Sequence, residues 1–277
     1  MTETEITPVY LPTGKKHTSF SETRNWAECS WRHQLQAIKK LGIDSPSIHL
    51  FFGTATHAAI EYFMNTKDIS FVDSDKVIDD GWVENLKLPD FIKNPADKMK
   101  QGIRNIMEEF PKFMEVTFPG YVSIEAEEQL YEDLGKYFNQ HAGVSFKGFI
   151  DIVIKVPGKK EGSSLYWILD AKTASRPWDA NKIADPLVRM QLVLYKKFWC
   201  EKHNIPLKDV RCGFVICLKQ GKVGKLCKLI PVSVGDVSVT KSLAVVNNFV
   251  SSVKRGVAYK NRMSCRFCEF KDTKLCT

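Results

Sequence analysis

The chain has 277 residues, 44% of them hydrophobic, and its 40 lysines and arginines outnumber 32 acidic residues for a formal net charge of +8. That apolar content excludes global disorder, and the length suffices for one large core. The basic balance favours a polyanionic partner such as nucleic acid. The absence of any run of about eighteen apolar residues, or of a charged-then-apolar leader, argues for a cytoplasmic protein with no membrane partner.

In chain order, residues 1–17 are polar and expected to be loose. Ser21 is placed to cap a helix over 21–40 that ends at Gly42, with Trp26, Cys29 and His33 along one side. Residues 53–116 are mainly helical in pattern, interrupted near Pro89 and Pro95. There Thr54 is placed as an N-cap, and His57 and Glu61, four apart, share a helix face. Residues 121–131 read as the first strand; 146–155 and 166–173 read as two more, joined into a hairpin by the polar, glycine-containing turn 157–164. A helix over 183–203 carries Gln191 and Tyr195 one turn apart, although Gln191 also fits a solvent-facing stripe. Strands over 210–218 and 226–234, a closing helix over 238–255 and a cysteine-bearing tail complete the chain. With no repeat, low-complexity segment or long linker, the expectation is a single α/β domain over 1–277 with a mixed central sheet flanked by helices. Its parts are an N-terminal helix (18–42), a helical region (53–116), a core (121–234) and a closing helix with its tail (235–277).

The chemistry concentrates in the hairpin. Its pairing sets Asp151 beside Asp170, and Asp170 and Lys172, two apart in a strand, project from one face. Paired carboxylates suit a hard cation such as magnesium or manganese (Mg2+ or Mn2+), and an adjacent lysine supplies fixed positive charge for a phosphorane-like transition state. Neutral His57 imidazole can complete the metal shell. Phosphodiester hydrolysis is the reaction these residues suggest.

Cysteine spacing is a separate signal. Cys265, Cys268 and Cys276 form C-x2-C-x7-C at the C-terminal end, and Cys29 lies far upstream. Four thiolates suffice for an iron-sulfur cluster or one zinc, with free thiols the remaining alternative. Cys200, Cys212, Cys217 and Cys227 sit in apolar runs and read as core fillers.

The ordered series Gly53, His57 and Glu61; Gly148-Phe149-Ile150-Asp151; Asp170-Ala171-Lys172; and Gln191 with Tyr195 resembles the PD-(D/E)XK nuclease superfamily. The resemblance is to its RecB-like branch, which includes the CRISPR-associated RecB-like exonucleases and the nuclease domains of bacterial recombination helicases. Ile150 stands where the superfamily's namesake proline would be, a Gly-x-x-Asp form common in that branch. The resemblance implies a restriction-endonuclease-like core with a helical insertion. It implies a metal held by Asp151, Asp170, His57 and the Ala171 carbonyl, Lys172 as the catalytic lysine, Gln191 and Tyr195 contacting DNA or positioning that lysine, and Glu61 supporting His57. It further implies a four-iron four-sulfur (4Fe-4S) cluster on Cys29, Cys265, Cys268 and Cys276 that clasps the two ends. The implied activity is exonucleolytic hydrolysis of single-stranded or frayed DNA to 5′-phosphate and 3′-hydroxyl products, in recombination, repair or phage DNA processing. The setting would be a bacterial cell or phage-infected host, with a recombination or helicase partner. Two other readings stand beside it: an endonuclease or CRISPR-adaptation-like trimming partner, and a catalytically silent iron-sulfur DNA-binding subunit.

Overall fold

Apolar, β-branched runs in the middle of the chain assemble a six-stranded mixed sheet, and the amphipathic segments on either side cover its two faces. The structure, a computed structural model, describes residues 9–42, 48–85 and 95–276. The strands are β1 (His17–Ser19), β2 (Val122–Asp133), β3 (Ser145–Pro157), β4 (Ser164–Ala174), β5 (Val210–Leu218) and β6 (Cys227–Val232). Their order is β1-β3-β4-β5-β6, with β2 antiparallel to β3.

Register explains where the sheet opens. Lys147 pairs with Ser19 of β1 and with Tyr131 of β2, so β1 and β2 flank β3 on opposite edges and β1 shares its edge with β4. The parallel β1 pairing ends at Lys147, and the antiparallel β4 pairing begins at Ile152 opposite Leu169. Residues 148–151 have no ladder partner on that edge among the described residues. The sheet forks there, at the Gly148-to-Asp151 motif.

The helices are α1 (Phe20–Glu28), α2 (Ser30–His33), α3 (Ile48–Thr66), α4 (Val72–Asn85), α5 (Pro95–Thr117), α6 (Ala180–Ala184), α7 (Pro186–Lys202) and α8 (Asp236–Lys254). On α5, Met99, Ile103, Ile106, Met107, Phe110 and Met114 recur at helical spacing and are buried with Phe52, Ile60 and Met64 of α3 against Val215 and Cys217 of β5. The alternate β5 residues, Phe214 and Ile216, face the opposite core with Phe198 and Trp199 of α7 and Phe249 of α8. All four cysteines read as fillers lie in these two cores or against them.

Several expectations change. The described part of the loose N-terminal stretch is packed: Val9 N–H donates to Gly143 O at 2.9 Å, Ser145 N–H donates to Lys16 O at 3.0 Å, and Leu11 and Thr13 are buried. It leads into β1, a strand too short to show a sequence period. The N-terminal helix is capped by Ser19, not Ser21, and does not run unbroken to Lys40. Cys29 is extended (φ −161°, ψ 103°), and a π-helical turn over Gln34–Ile38 follows α2. The break has a cause in the tail: Asn261 Nδ2 and Ser264 Oγ donate to Glu28 O at 2.8 and 2.7 Å, and Trp31 N–H donates to Tyr259 O at 3.0 Å. Thr54 is not an N-cap but lies inside α3, because Phe51 and Phe52 extend the apolar pattern upstream and Phe52 is buried. Pro89 lies outside the described residues. No described helix is long and apolar enough to cross a membrane.

Candidate active site

The fork collects side chains from five elements. From β3 comes Asp151, one step beyond the Ile152–Leu169 pair and therefore level with Asp170 of β4. Asp151 Oδ2 accepts the Ala171 N–H at 2.7 Å, so a carboxylate stands where the next ladder bond would form. Lys172 Nζ lies 2.7 Å from Asp170 Oδ2, as expected for residues two apart on one strand face. Helix α3 contributes His57, whose Nδ1 is 3.6 Å from Asp151 Oδ1 and 3.8 Å from Glu127 Oε1. Helix α7 contributes Gln191 and Tyr195, both buried, with Gln191 Nε2 donating to Tyr195 Oη at 3.3 Å. Burial removes the solvent-stripe reading of Gln191.

Glycine decides how close α7 approaches. A Cβ on Gly148 would lie 2.7 Å from Tyr195 Cε1, so the tyrosine ring can lie under β3 only where no side chain intervenes.

The electrostatics follow from packing two acids, a lysine and an imidazole away from water. Burial, then the negative charge of Asp170, raises the Asp151 carboxyl above the usual carboxylate range, against the opposing pull of His57 and Lys172. Burial alone would lower His57, but its contact with Glu127 and the charges of Asp151 and Asp170 raise it to about 9. Burial also lowers Lys172, yet Asp170 and Asp151 outweigh it and hold the ammonium charged. Tyr195 is pushed up by burial and then by Asp170, so its hydroxyl stays protonated.

The donor set suits a hard divalent cation. One ligand atom each from His57, Glu127 and Asp151 lie within 4.8 Å of one another. Asp170 falls outside that group, but its carboxylate is fully buried and its Oδ1 accepts no hydrogen bond, an energetic cost that a bound cation would relieve.

The second carboxylate beside His57, after Asp151, is Glu127, a residue that the sequence motifs do not include. Glu127 lies in an acidic stretch of β2 that reads as a solvated strand face, yet its left-handed backbone (φ 56°) and its place between the Ala126–Ile152 and Glu128–Ile150 pairs set it level with Asp151. The only sequence cue is that β2 precedes the Asp151 strand and pairs with it. Glu61 lines the same cleft, its carboxyl raised by burial and then by the Glu127 charge.

Apart from this cleft, Cys29, Cys265, Cys268 and Cys276 line one small pocket walled by Leu35 and Phe270. Asn261 N–H donates to Cys29 Sγ at 3.4 Å, and Arg262 Nη1 approaches Cys276 Sγ at 4.0 Å. Among the described residues, no three of these sulfurs come within 4.8 Å of one another.

A family model for the PD-(D/E)XK nuclease superfamily matches residues 17–273. Nineteen chains of solved structures match the chain. One, from Eubacterium rectale and provisionally named an exonuclease, is similar with a TM-score of 0.56 at 15% identity, over 91% of this chain and 86% of that one. At that identity the likeness concerns the fold alone. No protein in the curated set matches.

Proposed function

The chain belongs to the PD-(D/E)XK nuclease superfamily, with a restriction-endonuclease-like fold, and from this premise we propose that it is a Mg2+- or Mn2+-dependent DNA exonuclease acting on single-stranded or frayed ends. The observation that carries the reading is the meeting of Asp151, Asp170, Lys172 and His57 at the fork of the sheet. That combination suits metal-assisted phosphodiester hydrolysis: acceptors for a cation and a fixed positive charge beside them. Asp151, Asp170, His57 and the Ala171 carbonyl, joined by Glu127, would hold one or two divalent ions, which supply an acidified water and a polarised phosphate.

The chain's own residues do the rest. Lys172, kept charged by Asp170, presents its ammonium where negative charge develops on the phosphate. Tyr195 and Gln191 hold each other in the wall behind the fork and fix the position of β3. His57, Glu61 and Phe149 border the open cleft through which a strand end would enter.

The gathering of four cysteines at one pocket supports a shared cofactor, which by the family resemblance is a 4Fe-4S cluster, with zinc the alternative. The amide near Cys29 and the guanidinium near Cys276 suit thiolate ligands. Cys29, Cys265, Cys268 and Cys276 would hold it and tie the first helix to the tail.

The test is a Mn2+-dependent assay on 5′- and 3′-labelled linear DNA beside closed circular DNA. Progressive loss of the linear substrate with the circle spared is expected. Equal cutting of the circle would make the protein an endonuclease, and no metal-dependent cleavage of either would overturn the nuclease activity itself.

A further inference from the structure

Lys147, Phe149 and Asp151 occupy alternate positions of β3 and so point to one side of it. Their neighbours Phe146 and Ile150 are wholly buried, but Phe149 is 41% exposed at the lip of the cleft that His57, Glu61 and Glu127 line. Lys147 Nζ lies 5.2 Å from the ring centroid. Leu50 of α3, also exposed, borders the same cleft. A flat apolar ring next to the acidic ligands has no part in metal binding, and folding does not bury it.

We propose that Phe149 is the stacking platform for an unpaired nucleobase, which makes the site selective for single-stranded ends. The inference rests on the nuclease reading and adds the recognition element for its substrate class. Three consecutive same-side positions then serve one nucleotide: Lys147 offers positive charge to its backbone, Phe149 a face to its base, and Asp151 the reacting end. Stacking on one ring is indifferent to sequence, since every base has a π-face. A base inside a duplex has both faces covered by its neighbours, and a paired terminal base keeps its partner beside it, so an unpaired base is the one free to lie on a ring at the lip of the cleft. The ammonium over the ring adds a cation–π contact that keeps the ring oriented toward the cleft.

The experiment compares wild type, Phe149→Ala and Phe149→Tyr, after melting curves confirm that all three fold alike. For single-stranded DNA, Phe149→Ala is expected to raise KM by about tenfold to a hundredfold, the range that stacking one base spans, with kcat little changed and Phe149→Tyr restoring wild-type behaviour. Abasic terminal nucleotides should cost the wild type a similar factor and the alanine variant almost nothing. A second readout needs no turnover: in EDTA, a terminal 2-aminopurine should be quenched by the wild type and the tyrosine variant, not by the alanine variant. Equal loss on ordinary and abasic strands, a fall in kcat alone, or absent quenching in an active wild type would overturn the platform. Quenching that depends on Phe149 in a protein that cleaves nothing would instead sink the nuclease reading and keep the platform.

Discussion

Asp170 is fully buried, and Lys172 Nζ lies 2.7 Å from its Oδ2. Asp170→Asn keeps the shape but removes the negative charge that both a cation and Lys172 require, so cleavage should fall by about a thousandfold or more while DNA binding, with one less repulsive charge, is kept or tightened. Lys172→Met should cost about a hundredfold to a thousandfold in kcat with KM little changed, because its charge counts when negative charge develops. Single-turnover rates and a filter-binding assay separate the two quantities, and metal-dependent cleavage retained by Asp170→Asn would remove that residue from the site. Both residues were legible in the sequence because a two-residue strand period and a short hairpin dictate which side chains meet. Glu127 was not, because its role depends on a left-handed residue and an inter-strand register that no local pattern encodes.

At the scale of elements, β2, β3 and α7 are locked by two contacts that leave measurable signatures. Gly148→Ala would put a methyl 2.7 Å from the Tyr195 ring and force α7 away from β3, at a cost of about 1–3 kcal/mol in denaturant titration. Glu128, wholly buried on β2, accepts from Trp199 Nε1 at 2.5 Å and Lys202 Nζ at 2.7 Å, and meets His203 Nε2 at 2.6 Å. Burial alone would raise its carboxyl, but Lys202, His203 and Trp199 together hold it below the usual range. A carboxyl depressed in the folded state contributes stability that is complete above the unfolded pKa, about 4.3. That stability is lost as pH falls through the lower folded value. Glu128→Gln should therefore cost about 2–3 kcal/mol at pH 7, the lower end for a broken buried pair because Lys202 and His203 remain partly solvated. The gap from wild type should narrow as pH falls below about 4.3; a gap independent of pH would show that Glu128 acts by packing alone. The long strands and α7 were readable from periodicity, whereas the break at Cys29 was not. Residues 21–40 keep a helical pattern through it, and the groups that take over the Glu28 carbonyl come from Asn261 and Ser264, more than two hundred positions away.

For the molecule as a whole, that long-range contact sets the last prediction. The tail docks on the first helices, with Trp31 Nε1 donating to Leu275 O at 2.9 Å and Gln36 Nε2 to Glu269 Oε1 at 2.8 Å. These contacts bring the four cysteines to one pocket. A cluster on Cys29 and the tail would close almost the entire chain into a loop, for which chain entropy allows up to about 5 kcal/mol of stabilisation. The link to activity is short: α1, which ends at Cys29, follows directly from β1 at the fork and carries Arg24, whose charge acts on Lys172. Purified without oxygen, the protein should be brown with about four irons per chain. Cys29→Ser should lose the colour, unfold at lower denaturant, and lose up to about a hundredfold in cleavage through misplacement of the fork, keeping a Mn2+-dependent residue of activity that Asp170→Asn lacks. Iron analysis, visible absorbance and denaturant midpoints on the same anaerobic samples check each part. Zinc in place of iron would refute the cluster, and full colour in Cys29→Ser would show that another cysteine supplies the fourth ligand; both outcomes leave the chemistry at the fork intact, since none of these cysteines lines the cleft of His57, Glu127 and Phe149.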